Sequence, residues 1–398
     1  MEIGLEVLLN KPALAKNWGN CGLLCNQASV TKNFKHTIPL LQDLLGERLR
    51  ILFGPQHGII STVQDNMIET EHGTYGSGIP IYSLYSETRE PTKEMIENID
   101  TILIDLQIVG CRVYTFKATI RACLEAAKKY NKRVVILDRP NPLGGTHVEG
   151  RNLDANCRSF VGPDEIPMRH GLTVAECANF FNREISADLE IIPLAGWKAW
   201  ELWDKFRRPW VLTSPNLPTW ESVSLYPGLV MLEGTNISEG RGTALPFQLI
   251  GAPYIKDPER LVKRINSYGK SVTGGIFLRA THFLPSYGKW SNTTCSGFQI
   301  HVMDPELVKS YGLTLAIIHS IKDMYPKEFA WREPPYEYEY KRKPMVLILG
   351  SEKFEGYFNN FKISDPFWNE GVDKYLEVSN NYLIYKRERF TVHHLDHG

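Results

Sequence analysis

Short runs of apolar residues alternate with amphipathic stretches through the first half of the chain. The runs at 22–25, 49–53, 79–84, 101–105 and 133–137 are dominated by Leu, Ile, Val and Phe and end in polar or glycine-rich segments, the pattern of strands buried on both faces. Apolar residues at helical spacing, such as Ile38, Leu41 and Leu45, predict helices over 37–45, 91–99 and 118–130. A further helix is expected from Thr173 to about 184, because Thr173 and Glu176 have the spacing of a capping box. Strands alternating with helices specify an α/β fold with a parallel sheet and right-handed crossovers. Further on, a strand-like run at 229–232, a helix over 258–268, a strand over 275–279 and a helix over 305–324 are expected, followed by a Pro- and Tyr-rich crossing at 334–344. A chain of 398 residues exceeds one ordinary core. The turn-like Tyr226-Pro227-Gly228 places the boundary, giving domains 1–226 and 227–398.

In parallel α/β sheets the ligand lies beyond the carboxyl ends of the strands. Four predicted strands carry polar residues there: Asn26-Gln27, Gln56-His57, Asp105-Leu106-Gln107 and Asp138-Arg139-Pro140-Asn141. Asn26, His57, Asp105 and Asp138 are therefore expected in one cleft. Two loops add chemistry. The segment after Gly58 contains Gln64-Asp65-Asn66 and Glu69, and the segment from Glu233 to Phe247 sets Glu233, Asn236, Glu239, Arg241 and Thr243 among three glycines.

The charge balance of 45 basic and 45 acidic residues supplies no basic field for nucleic acid or an anionic membrane. Acids in Met-Glu-Ile-Gly-Leu-Glu stand where a signal peptide carries basic residues, so the chain as given reads as cytoplasmic, unless a leader has been removed. Seven scattered cysteines without a Cys-x-x-Cys pair point to reduced thiols rather than a zinc site or disulfide framework. The His-rich tail at 393–398 reads as a frayed terminus. No Gly-x-Gly-x-x-Gly follows the first strand, and there is no Walker loop, Gly-x-Ser-x-Gly elbow or His-Glu-x-x-His. Acid–base chemistry by carboxylates and histidine remains, with Glu69, Glu233, Glu239, Asp105, Asp138, His57 and His170 as candidates. Two carboxylates across a sugar are the usual apparatus of glycosidic cleavage.

These motifs together resemble the NamZ-type exo-β-N-acetylmuramidases, a bacterial family formerly classed as a domain of unknown function. The resemblance rests on Gly54-Pro-Gln-His-Gly58, Pro80-Ile-Tyr-Ser-Leu-Tyr85, Asp105-Leu-Gln-Ile-Val-Gly110, Arg112-Val-Tyr-Thr115 and Asp138-Arg-Pro-Asn-Pro-Leu-Gly-Gly145. Pro167-Met-Arg-His-Gly171, Ser214-Pro-Asn-Leu-Pro218, Tyr226-Pro-Gly228 and Glu233-Gly-Thr-Asn-Ile-Ser-Glu-Gly-Arg-Gly-Thr243 extend it along most of the chain. It implies a Rossmann-like amino-terminal domain carrying most of the site, a smaller carboxy-terminal domain and an active cleft between them. The implied reaction releases N-acetylmuramic acid from the non-reducing end of peptidoglycan fragments, with no cofactor or metal.

Two departures stand out. Many members have an acid where this chain has Gln56, and another where it has Gln248. Glutamine does not exchange protons usefully near neutral pH. The reading therefore places catalysis on Glu69 and Glu239, with His57 tuning a carboxylate or bonding a hydroxyl. Asn26, Gln56, Asp105, Tyr114, Asn236 and Thr243 would hold the sugar, and Arg112, Arg169 or Arg241 would meet its lactyl carboxylate. A sugar- or muropeptide-binding protein without turnover, and a glycosidase acting on another amino sugar, stand beside this reading. An enzyme with a nucleotide-like ligand is disfavoured by the missing glycine fingerprint.

Overall fold

A computed structural model describes residues 1–61, 67–76, 78–387 and 391–392, the last pair by backbone alone. The strands are β1 (Cys21–Cys25), β2 (Leu49–Gly54), β3 (Gly73–Tyr75), β4 (Ile79–Ser83), β5 (Thr101–Asp105), β6 (Arg133–Leu137), β7 (His147–Asn152), β8 (Pro167–Arg169), β9 (Asp188–Ile192), β10 (Leu249–Ala252), β11 (Ile276–Phe283), β12 (Cys295–Val302) and β13 (Thr391–Val392). The main sheet runs β3-β4-β2-β1-β5-β6-β9, and every pairing is parallel except β3 with β4. Counting only the parallel strands in chain order gives 3-2-1-4-5-6, the Rossmann order. Among the described residues two three-stranded sheets accompany it, the antiparallel β10-β12-β11 and the mixed β13-β7-β8.

Side-chain alternation explains why the central strands are apolar throughout. Ile102 and Ile104 of β5, with Val134 and Ile136 of β6, pack to one face of the sheet. Leu103, Val135 and Leu137 pack to the other, against Ile3, Leu5 and Leu8 at the helix Gly4–Asn10 and its N-cap, and Ile38 and Leu41 of the helix Thr37–Leu45. The first of these cores does not stop at the sheet. It passes through the helices Phe116–Lys129, Val174–Ile185 and Trp220–Leu229 to Ile250, Phe298 and Ile317. The two halves of the chain therefore share one hydrophobic cluster.

The helix predicted over 37–45 and the strands at 101–105 and 133–137 occupy those positions. Thr173 caps Val174–Ile185 in a reciprocal capping box with Glu176. The run at 229–232 differs. It ends the helix Trp220–Leu229 and opens a 3₁₀ turn, Val230–Gly234, not a strand. Its residues are apolar all round because they are buried all round, and so short a run carries no period. Tyr226-Pro227-Gly228 is likewise not a turn but lies inside that helix. Gly228 is needed for close approach, since a Cβ there would stand 1.8 Å from the Ser310 carbonyl oxygen, at the start of the helix Ser310–Met324.

This contact gives a direct test. Gly228→Ala forces two buried helices apart and is expected to cost about 1–3 kcal/mol or more, read as a lower midpoint of urea unfolding. An unchanged midpoint would show that the helices are not locked together here.

Candidate functional site

The segment after β2 enters the cleft with strained backbone. His57 has φ 71° and Gly58 φ 74°, and a non-glycine residue in the left-handed region is held there only by its surroundings. The turn projects Gln56, whose side chain is fixed at both ends. Thr115 Oγ1 donates to its Oε1 at 2.5 Å, while its Nε2 donates to Tyr85 Oη at 3.1 Å and to Glu337 Oε1 at 3.2 Å. Tyr85 Oη in turn donates to Glu337 Oε2 at 2.7 Å. Both oxygens of Glu337 thus have protein donors, yet neither donor carries a full charge. Burial pushes the Glu337 carboxyl above its ordinary pKa, the nearby Glu233 adds to the rise, and the two hydrogen bonds only partly oppose it.

The loop from Glu233 supplies the opposite wall. Tyr336 Oη donates to Glu233 Oε2 at 2.8 Å, and Arg241 Nη2 contacts Glu233 Oε1 at 2.5 Å. Glu239 is 2.7 Å from Lys289 Nζ and 3.4 Å from Arg241 Nε. Burial alone would raise its pKa, but the Lys289 and Arg241 charges outweigh it and hold the carboxyl below the usual range. Lys289 Nζ also donates to the Leu232 and Ile237 carbonyls at 2.7 and 2.6 Å, which fixes the cation in place.

Two adjoining cavities share Glu233, Arg241, Tyr336 and Glu337 in their walls. The one of about 390 Å³ is lined also by Gln56, His57, Tyr114 and Ser214, and the one of about 620 Å³ by Met67, Glu239, Lys289 and Arg332. His57 Nε2 is 3.2 Å from Ser214 Oγ. Residues from both halves of the chain therefore build one cleft.

The expectation that Asn26, His57, Asp105 and Asp138 share a cleft is met only by His57. All four do follow parallel strands at one sheet edge, but the other three are committed to structure. Asn26 donates to the Thr213 carbonyl at 3.0 Å. Asp105 is fully buried against Arg139, at 2.5 Å from its Nε. Asp138 accepts from Ala175 N, Thr173 Oγ1 and Tyr385 Oη, and burial pushes its pKa up to about 7.

Arg112 and Arg169 line neither cavity. Arg112 is buried and donates to the carbonyls of Arg151, Ile166, Ile348 and Leu349, and Arg169 pairs with Glu149. His170 is fully enclosed, and burial drives its pKa well down. Asn236 bonds Glu328, Ala330 and Tyr254, and Thr243 closes a turn with Gly240 and Leu245. Glu69 is half exposed, 3.8 Å from Arg89, and is absent from both cavity walls, although Met67 lines one. Gln64-Asp65-Asn66 and the tail at 393–398 lie outside the described residues.

Gln56, His57, Tyr114, Glu239 and Arg241 are the expected site residues that the fold brings together. Glu337, Tyr336 and Lys289 were not anticipated. The only signal was the Pro- and Tyr-rich crossing at 334–344, where Glu337 stands between two tyrosines. Gln248 lines neither cavity and bonds Thr219 and Ser222.

A Rossmann-ordered sheet joined to a second α/β part, with several carboxylates and fixed cations facing a shared cleft, defines a class: a two-part α/β protein equipped for acid–base work on a polar ligand. Comparison with known proteins narrows this. The family profile described as exo-beta-N-acetylmuramidase NamZ, N-terminal, matches residues 21–221, and its C-terminal counterpart matches residues 224–385. The chain belongs to the NamZ exo-β-N-acetylmuramidase family, a family of glycoside hydrolases. It is 40% identical over 334 residues to the peptidoglycan beta-N-acetylmuramidase NamZ of Bacillus subtilis (strain 168), covering 83% of this chain and 79% of that one. A crystal structure of a DUF1343 family protein from Bacteroides fragilis NCTC 9343 matches with a TM-score of 0.84 at 28% identity, over 97% of this chain and 99% of the other. A second DUF1343 family protein from the same organism, at 24% identity and a TM-score of 0.72 over 97% and 99% of the two chains, shares the fold.

The environment of Glu337 makes its own prediction. Because the Tyr85 hydroxyl stabilises the carboxylate, Tyr85→Phe should raise the Glu337 pKa further. Infrared difference titration of the carboxyl band, with Glu337→Gln as the reference, reads this directly. A downward shift would contradict the hydrogen-bond assignment.

Proposed function

We propose that this protein hydrolyses the glycosidic bond of N-acetylmuramic acid at the non-reducing end of peptidoglycan-derived fragments, with Glu337 and Glu239 as its working pair. The observation that carries the assignment is the opposed tuning of two carboxylates facing one cavity of about 620 Å³. Glu337 is pushed toward its protonated form by burial, and Glu239 is kept ionised by Lys289 and Arg241. Environments that separate two such groups assign acid and base. Glu337 is the proton donor to the leaving oxygen. Glu239 is the anionic partner, serving as base or nucleophile across the sugar ring.

The remaining groups position these two. Gln56 and Tyr85 hold both Glu337 oxygens, and Thr115 fixes the amide of Gln56 so that its NH₂ faces the carboxylate. Gln56 therefore acts as an orienting donor where many relatives have an acid, and the proton falls to its neighbour. Glu233 neutralises Arg241 and lifts the Glu337 pKa. Turnover without a metal or redox partner follows from two carboxylates alone.

The amide at Gln56 also favours a second reading, a binding protein that does not turn over. A chromogenic muramoside separates the two. Glu337→Gln and Glu239→Gln should each lower kcat by at least about a hundredfold, while Glu69→Gln stays close to wild type. The pH profile of kcat/KM should be bell-shaped. Activity falls on the acid side as Glu239 takes up a proton, at a pH below the ordinary carboxylate range, and on the alkaline side as Glu337 loses one, at a pH above it. Near-normal activity in either glutamine variant removes that residue from the mechanism, and an inactive wild type supports the binding reading.

A further inference from the structure

Among the described residues, three cations face the larger cavity: Arg241, Lys289 and Arg332. Two of them are already engaged. Arg241 is bound by Glu233 and Glu239, and the Lys289 ammonium is satisfied by Glu239 and two backbone carbonyls. Neither has charge to give a ligand without first abandoning a buried carboxylate, and that exchange is costly.

Arg332 differs from both. Its backbone N–H donates to the Gly234 carbonyl at 2.9 Å, and the preceding residue, Trp331, bridges Thr235, so its base is stitched to the loop that carries Glu233 and Glu239. The residue is exposed at the cavity wall, and among the described residues its guanidinium has no carboxylate within ion-pair distance. The adjacent Glu333 lies 3.5 Å from Lys343 instead. Among the described residues the cavity therefore holds one unengaged fork, anchored by its own backbone, beside two carboxylates that are already neutralised.

We propose that Arg332 binds the carboxylate of the substrate's lactyl ether and so sets the preference for a muramoside over a glucosaminide. This rests on the hydrolase reading above and adds the specificity residue to it. The two sugars differ by a group that is ionised at neutral pH, and a guanidinium matches a carboxylate in two parallel hydrogen bonds. Arg332 can make those bonds without disturbing Glu233 or Glu239, which an approach to Arg241 or Lys289 would do. Its exposure means that the lactyl group lies toward the cavity mouth, with the glycosidic oxygen directed inward to Glu337.

The test compares wild type, Arg332→Ala and Arg332→Lys on 4-nitrophenyl β-glycosides of N-acetylmuramic acid and N-acetylglucosamine. Calorimetric binding of the two free sugars is measured in parallel. Arg332→Ala should lose on the order of tenfold to a hundredfold in kcat/KM for the muramoside, mainly through KM, and should bind N-acetylmuramic acid correspondingly less tightly. Its behaviour toward the glucosamine compounds should stay within about threefold of wild type, and Arg332→Lys should recover part of the loss. Equal losses on both sugars, or no loss on the muramoside, would overturn the assignment. If wild type cleaves neither glycoside, the hydrolase reading fails, and the calorimetric comparison still decides whether Arg332 distinguishes the two sugars.

Discussion

Removing three carboxylates from water in one place is the constraint on which this cleft depends. Glu233, Glu239 and Glu337 are all nearly buried, and unpaired burial of even one such charge is prohibitive. The protein meets the difficulty in two ways. Glu233 and Glu239 are balanced by Arg241 and Lys289, and the Lys289 ammonium is itself held by backbone carbonyls. Glu337 receives only neutral donors, and these and the Arg241 charge together do not offset its burial, so protonation relieves the cost. Difference in function between chemically identical side chains thus comes from how each one's charge is accommodated.

The sheet contributes geometry more than chemistry. Its carboxyl edge carries Asn26, Asp105 and Asp138, yet Asp105 closes on Arg139, Asn26 on the Thr213 carbonyl, and Asp138 on the start of the helix Val174–Ile185. These bonds fasten the loops beyond the strands and let one turn, Gln56-His57, reach outward. The chemistry then arrives from the second half of the chain, along the Glu233 loop and the crossing that holds Glu337. Arg112 ties the two regions together, because its four carbonyl partners come from both.

The strands over 101–105 and 133–137 and the capping box at Thr173 are legible because each depends on a local pattern: an apolar period or a three-residue spacing. The loop with Glu239 and Arg241 could be found for a similar reason, since its polar residues cluster among glycines. Glu337 could not be found that way. Its role is set by Gln56 and Tyr85, which are more than 250 residues away in sequence, and one acid among tyrosines has no local mark of burial. Arg112 misled in the opposite sense. An arginine beyond the end of a strand reads as a cation for a ligand carboxylate, and only the fold reveals that its guanidinium donates to four backbone carbonyls. The Tyr226-Pro227-Gly228 run misled through its turn-like residues, because the need for a glycine came from a neighbouring helix and not from the local backbone.

The shared hydrophobic cluster bears on modularity. The two matched family segments meet within the helix Trp220–Leu229, and the apolar side chains of that helix face residues from both sides of the junction. A chain cut there would strip cover from Leu225, Leu229 and their partners and leave each piece with a wet interior face. The two segments are thus matched separately in sequence yet bury one another's apolar surface. Exchange of one half between relatives would succeed only where the helix and the surfaces it wedges apart travel together.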